Sequence, residues 1–115
     1  MRKVLVVDDE ILIRMTVIDA LEEAGFVVIE AGTADEAMDL IEDQTIHFLF
    51  TDIQMPGQHS GVDLALEVAA RFPDAGIIVA SGRIRTDEIE LPPTAEFLTK
   101  PYEIDLLVKR LKALS

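Results

Sequence analysis

The sequence predicts an α/β fold in which helices cover both faces of a parallel β-sheet. Short apolar runs recur along the chain, and most of them lack polar alternation, as expected for strands buried on both faces. Segments with helical spacing of apolar residues separate these runs, and such alternation is typical of a parallel sheet with right-handed crossovers. The 115 residues fit one domain of ordinary size, about 100–150 residues.

Five strands are predicted, each an apolar run between turn-forming or charged residues. They cover residues 4–7, 27–29, 48–50, 77–80 and 97–98. Four helices are predicted between or after these strands. The first ends at Gly25, the second begins at Thr33 with Glu36 placed to complete a capping box, and the third ends at Pro73.

Composition excludes several classes of function. The chain has no cysteine, which excludes disulfides, thiolate zinc sites and thiol catalysis. A formal charge of −12 argues against nucleic acid or an anionic membrane as a partner. The first apolar run ends at Asp8, well short of the about 7–15 apolar residues of a signal peptide. We therefore expect a cytoplasmic protein.

Polar residues come within two positions of the end of four of the predicted strands. Asp8 and Asp9 follow the first, Asp52 the third, Ser81 the fourth and Lys100 the fifth. The carboxyl ends of parallel strands meet at one edge of the sheet, where ligands of such folds bind. Three close carboxylates repel one another unless a cation neutralises them, and hard oxygen ligands suit Mg²⁺. One carboxylate can then attack a phosphoryl group, with the ammonium and the hydroxyl stabilising the transition state.

Each motif has an ordinary structural explanation when it is taken alone. A pair such as Asp8–Asp9 is usually a solvated strand end or a helix N-cap, residues 52–57 can be only a turn, and Lys100–Pro101 only a strand exit. All three motifs, however, lie at the ends of predicted strands, and this shared position favours a common site.

Four segments together resemble the receiver domain of bacterial two-component response regulators. They are residues 4–10 (VLVVDDE), 51–57 (TDIQMPG), 79–82 (VASG) and 97–102 (FLTKPY). The resemblance implies a flavodoxin-like, doubly wound sheet of five parallel strands with five flanking helices. We expect a single receiver domain over residues 1–115 without an output domain, because the sequence stops after the last helix.

The resemblance also implies the role of each site residue. Asp52 is the phosphoacceptor, and it receives the phosphoryl group from a phosphohistidine on a sensor histidine kinase or a histidine phosphotransfer protein. Asp8, Asp9 and Asp52, together with the backbone carbonyl of Gln54, are the implied Mg²⁺ ligands.

The resemblance further implies a switch. Lys100 pairs with the phosphate, and its bond to Pro101 is cis in many relatives. Ser81 takes the position of the switch hydroxyl and Phe97 that of the switch aromatic. Phosphorylation would draw Ser81 inward and let Phe97 fill the space, which biases an equilibrium between two states.

Two departures from the family pattern are visible. Between Ser81 and Phe97 the family has a full fourth helix, whereas Pro92 and Pro93 predict a shortened or irregular one here. The loop before the third helix is one residue longer than the common form and carries His59, for which solvation is a better interpretation than catalysis.

The first predicted helix carries a second apolar stripe. Ile11, Met15 and Ile18 lie opposite its core face and beside the acidic site. A surface helix ordinarily has one apolar stripe, so we interpret these residues as a docking surface for the kinase or phosphotransfer protein.

Two other functions stay open. A phosphatase of the dehalogenase-like type also forms an aspartyl-phosphate, but it needs Asp-x-Asp where this chain has Asp8-Asp9-Glu10. A receiver-like binding domain that is never phosphorylated would normally lack one of the acidic residues or Lys100. We expect no enzymatic activity beyond self-phosphorylation and self-dephosphorylation, and output through an unidentified protein partner or a phosphorylation-dependent dimer.

Overall fold

The computed structural model describes residues 2–55, 57–82 and 90–114. Strands and helices alternate along these residues as the sequence predicts. The elements are β1 Lys3–Val7, α1 Ile11–Glu23, β2 Val27–Ala31, α2 Ala34–Asp43, β3 Phe48–Asp52, α3 Gly61–Arg71, β4 Gly76–Ser81, β5 Glu96–Thr99 and α4 Ile104–Leu114.

The five strands form one parallel sheet in the order β2-β1-β3-β4-β5. This is the order of the doubly wound flavodoxin-like sheet, and it confirms the predicted fold class. From β1 the chain crosses to β2 on one side, and from β2 it returns past β1 to β3 on the other side. The order of the strands therefore switches direction between β1 and β3, and ligands of such sheets bind at the carboxyl ends of these two strands. The acidic residues predicted for the site lie at that point.

Alternate residues of the central strands supply two separate cores. Leu5 and Leu49 face α2 and α3 in one core. Val4 and Phe50 face α1 and α4 in the other. A sheet that is apolar on both faces needs helices on both faces, and the two cores hold its carboxyl edge rigid beneath the site.

Side chains cap the helices that flank the site. The Thr33 hydroxyl accepts a hydrogen bond from the Glu36 N–H at 3.1 Å, as predicted. The other hydrogen bond of the predicted capping box would join the Glu36 carboxylate to the N–H of Thr33. The carboxylate instead accepts from the N–H of Gly32, one residue before the cap. A complete capping box between Ser60 and Asp63 instead begins α3.

A carboxylate on α2 anchors the loop between β3 and α3. Asp35 accepts hydrogen bonds from the backbone N–H groups of Gln58 and His59, each at 3.0 Å. The Nδ1 atom of His59 lies 2.6 Å from the same carboxylate. The hydrogen bond from Gln58, followed by that from the His59 side chain, lowers the pKa of Asp35. His59, expected to be only solvated, therefore helps to attach this loop to α2.

The predicted shortened fourth helix falls largely on residues 83–89, which lie outside the described residues. Residues 90–95, which are described, form turns and no helix, and the N–H of Ala95 donates to the carbonyl of Pro92 at 3.0 Å. Among the helices of the described residues, none combines the length and the apolar character needed to cross a membrane.

Gly61 allows α3 to begin directly against the end of β3. Its N–H donates to the carbonyl of Ile53 at 3.0 Å, and a Cβ atom there would overlap the backbone oxygen of Asp52. We expect Gly61→Ala to lower the free energy of unfolding by about 1–3 kcal/mol, as overpacking does elsewhere. Urea unfolding followed by circular dichroism measures the change.

Gly82→Ala is the matched control for this substitution. The nearest atom to its added Cβ would be the Cβ of Lys100 at 3.4 Å, an ordinary van der Waals distance. Its effect should stay within about 0.5 kcal/mol. Equal stability of the two variants would contradict the close approach between α3 and β3.

Candidate functional site

Three carboxylates meet at the carboxyl edge of the sheet. Asp8 and Asp9 follow β1, Asp52 ends β3, and one oxygen of each lies within 4.8 Å of the others. Asp8 is 2% exposed and Asp52 6%, whereas Asp9 is exposed to solvent. The cluster borders a cleft of about 370 Å³ whose wall also includes Gln54 and Lys100.

Lys100 is the cation that faces this cluster. Its Nζ donates a hydrogen bond to Asp52 Oδ2 at 3.0 Å and lies 3.9 Å from Asp8 Oδ2. Its backbone N–H donates to the carbonyl of Ser81 at 3.0 Å, and the following bond to Pro101 is cis, as the resemblance implied. Burial lowers the pKa of Lys100, but the hydrogen bond and the charges of Asp52 and Asp8 outweigh it and raise that pKa.

The buried position of Asp8 is unfavourable for a negative charge. Burial raises its pKa, and the charges of Asp52 and Asp9 act in the same direction. A hydrogen bond of 2.9 Å from the N–H of Glu10 to Asp8 Oδ1, together with Lys100, opposes this increase only in part. A bound cation would stabilise the ionised form of this carboxylate.

The remaining predicted residues surround Asp52. The N–H of Gln54 points to Asp52 Oδ1 at 3.4 Å, so the backbone of this residue turns beside the Asp52 carboxylate. Ser81 is 1% exposed at the end of β4, the strand next to β3. Phe97 is half-buried on β5 and packs against the core beneath α2 and α3.

The donor set suits a divalent cation. Within the described residues, the three carboxylates of the cluster have one ammonium group, that of Lys100, in ion-pair contact with them, which leaves two negative charges uncompensated. Carboxylate oxygens and a carbonyl are the ligands that Mg²⁺ takes, and it keeps waters in its other positions. Asp8, Asp9, Asp52 and the Gln54 carbonyl are the residues that would hold it.

Residues 4–112 match the family described as response regulator receiver domain. The chain belongs to this family. The match includes all or most of every strand and helix described above, and it confirms the resemblance found in the sequence. The acidic cluster correspondingly resembles the Mg²⁺ site of receiver domains.

Individual relatives agree with this assignment. The transcriptional regulatory protein PdtaR of Mycobacterium tuberculosis is 34% identical over 111 residues, which are 93% of this chain and 53% of PdtaR. The chain thus spans about half the length of that relative. The receiver protein CpdR of Brucella abortus is 27% identical over 97% of this chain and 95% of its own.

A solved receiver-family structure gives the same fold. The response regulator TrrA of Thermotoga maritima, solved in complex with Mg²⁺-BeF, superposes with a TM-score of 0.87. It is 30% identical, and the superposition covers 100% of both chains. The likeness therefore extends over the whole receiver domain, including the edge of the sheet that carries the acidic cluster.

The exposed apolar surface of α1 differs from the predicted stripe. Ile11 and Met15 are exposed by 58% and 53%, but Leu12, which was not predicted, is exposed by 78%. Ile18 instead packs in part against the core that faces α1 and α4. It lies about 60° closer to the core-facing side than Met15, because three helical residues turn through roughly 300°.

Two residues near the site were not predicted from the sequence. Arg14 on α1 donates from Nη1 to the carbonyl of Asp8 at 2.7 Å. Tyr102 packs edge-on against Phe50 with 5.5 Å between ring centroids, and burial, with Asp8 and Asp52 nearby, raises the pKa of its hydroxyl. The available signal for Arg14 was an arginine beside the apolar core positions of α1. Tyr102 ends the segment 97–102 that carries the family resemblance, but no role was predicted for it.

The raised pKa of Asp8 gives a prediction about stability and pH. The folded protein holds the Asp8 proton to a higher pH than the unfolded chain, whose value is near 3.8, so this group costs stability as pH rises through that range. Asp8→Asn removes the cost. Without divalent cations at pH 7 we expect a gain on the order of 1 kcal/mol, or roughly 4–6 °C in melting temperature.

Thermal unfolding in EDTA at several pH values measures this gain. The advantage of Asp8→Asn should vanish near pH 3, where the wild-type carboxyl is protonated. Asp39→Asn, an exposed change on α2, is the control and should have little effect. A lower melting temperature for Asp8→Asn at pH 7 would show that its pairing with Lys100 outweighs its burial.

Proposed function

We propose that this receiver domain accepts a phosphoryl group on Asp52 from a phosphohistidine, with Mg²⁺ bound by the acidic cluster. The supporting observation is the position of the Asp52 carboxylate. It is nearly buried at the end of β3, 3.0 Å from the ammonium of Lys100 and close to Asp8 and Asp9, and it borders an open cleft. Of the three carboxylates, it alone has this direct hydrogen bond to Lys100 among the described residues.

The transfer is a displacement at phosphorus. A carboxylate oxygen of Asp52 forms the new P–O bond while the P–N bond to the donor imidazole breaks, and its electron pair returns to the imidazole nitrogen. Lys100 is placed to pair with the phosphoryl oxygens, and Ser81 on the neighbouring strand to supply a hydroxyl donor. Bound Mg²⁺ supplies further neutralisation of charge.

The product changes the balance of charge at the sheet edge. A phosphoryl group adds nearly two negative charges and three acceptor oxygens beside Lys100. Movement of Ser81 toward these oxygens would open space that Phe97, half-buried on the adjacent strand, can fill. The switch would thus alter the face near β5 and signal to a protein partner, with dimerisation on phosphorylation as one form of output.

Phosphorylation by a small donor tests the proposal directly. Incubation with acetyl phosphate and Mg²⁺ should give one labile adduct with the mass of a single phosphoryl group. Asp52→Asn should abolish the adduct, and EDTA should reduce its rate by at least about 100-fold, because the charge of the site then opposes the anionic donor. Intact-mass spectrometry over time measures both effects.

Asp39→Asn is the control for this experiment, since Asp39 is an exposed aspartate on α2. It should form the adduct at the wild-type rate. Absence of any adduct on the wild-type protein would favour a receiver that is not phosphorylated. Sustained hydrolysis of unrelated phosphate esters would favour a phosphatase.

A docking surface for the phosphodonor lies next to the site. Ile11, Leu12 and Met15 are exposed on α1, and Leu12 also lines an apolar groove of about 480 Å³ that runs toward α4. Glu10 and Lys100 border both this groove and the acidic cleft. A helical kinase or phosphotransfer segment packed in the groove would bring its phosphohistidine to Asp52.

Met15→Glu separates docking from chemistry. The substitution places a charge on the apolar surface, so phosphotransfer from a partner kinase or phosphotransfer protein should slow by about tenfold or more. Phosphorylation by acetyl phosphate should keep its wild-type rate, because Met15 does not line the acidic cleft. Radiolabel transfer and intact mass measure the two rates.

The control is Leu66→Glu, which charges an exposed leucine on α3, away from this surface. It should leave both rates unchanged. Equal losses in both assays for Met15→Glu would mean that the variant harms the site itself, and the docking surface would have to be sought elsewhere.

A further inference from the structure

We propose that Arg14 is a positioning residue for the cation site, acting through the peptide bond that joins Asp8 to Asp9. The inference rests on the proposed Mg²⁺-dependent function. Arg14 is on the first turns of α1, and its side chain is only 15% exposed. It borders neither the acidic cleft nor the apolar groove, so it acts through Asp8 rather than on the phosphoryl group.

The guanidinium of Arg14 joins three elements. Nη1 donates to the carbonyl of Asp8 at 2.7 Å, and Nε donates to Glu30 Oε1 on β2 at 2.9 Å. Gly32, just after β2, leaves room for this arrangement, because a Cβ there would lie 3.2 Å from Nη1. The side chain thus ties the end of β1 to α1 and to the edge strand β2.

Asp8 is held at each of its polar groups. Its N–H donates to the carbonyl of Ala31 at 3.3 Å, its carboxylate accepts from the N–H of Glu10, and its carbonyl accepts from Arg14. Asp9 is exposed, and no other described residue donates a hydrogen bond to its carboxylate. The direction in which the Asp9 side chain leaves the backbone therefore depends on the plane of the Asp8–Asp9 peptide, which Arg14 orients.

Glu30 makes this arrangement compatible with cation binding. A lone guanidinium beside the cluster would repel a divalent cation. The Glu30 carboxylate pairs with the guanidinium through Nε, whereas Asp8 accepts from Nη1, and it compensates the charge of the guanidinium. The pair should orient the ligand residues without lowering their affinity for a cation.

The test is the Mg²⁺ dissociation constant, measured by titration calorimetry without a phosphodonor. We expect Arg14→Gln to weaken Mg²⁺ binding by about tenfold or more, as for other residues that orient metal ligands. Glu30→Gln keeps the bond to Asp8 but leaves the guanidinium uncompensated, so a loss of roughly two- to fivefold is expected. Arg14→Lys should recover part of the loss caused by Arg14→Gln.

Two controls separate positioning from general destabilisation. Arg71→Gln removes an arginine from a 2.8 Å pair with Glu67 on α3, and Mg²⁺ affinity should stay within about twofold of wild type. Ser60→Ala removes the α3 cap and lowers the melting temperature without contacting Asp8, so it shows whether lost stability alone weakens Mg²⁺ binding.

Wild-type Mg²⁺ affinity in a folded Arg14→Gln variant would overturn the inference while leaving the proposed function intact. If Arg14→Gln does not fold, wild-type affinity in both Arg14→Lys and Glu30→Gln would overturn it equally. A wild-type protein that binds no Mg²⁺ would instead refute both the inference and the metal-dependent function. The two failures are therefore distinguishable.

Discussion

Mutual repulsion among Asp8, Asp9 and Asp52 is the constraint on which the rest of the structure depends. Three carboxylates with ligand oxygens within 4.8 Å of one another oppose folding unless other groups hold them there. The parallel sheet brings them together, because β1 and β3 are neighbours in register and both end at this edge. Lys100 offsets part of the repulsion, and the two apolar cores beneath the sheet supply the burial free energy that maintains the arrangement.

The surroundings of the cluster are correspondingly rigid. Asp8 is held by backbone and side-chain hydrogen bonds, α3 begins with a complete capping box, and Gly61 lets that helix start against Asp52. Asp35 fixes the loop that follows β3, the strand that ends at Asp52. The residual negative charge is then concentrated beside two carboxylates that are held in place, those of Asp8 and Asp52, which favours a cation.

The sequence predicted those parts of the molecule that local pattern controls. Buried strands are continuous apolar runs, and parallel strands end at one edge, so the sequence alone assigns Asp8, Asp52 and Lys100 to one site. The pairs Arg14–Glu30 and Asp35–His59 join residues 16 and 24 positions apart and leave no periodic signal, because they arise from packing between elements. Ile18 differs from these pairs, because helical periodicity alone places it about 60° closer to the core-facing side than Met15.

The surface around the site links its chemistry to recognition. Glu10 and Lys100 border both the charged cleft and the apolar groove, so a partner docked in the groove as proposed would cover one side of the cleft. Covering the cleft would exclude water and strengthen the attraction between Lys100 and the phosphoryl group of the proposed transfer. Lys100 adjoins Ser81 through a backbone hydrogen bond, and Ser81 is paired with Thr99 across β4 and β5. Lys100 therefore connects three features physically: it lines the groove, it pairs with Asp52, and it directly follows β5.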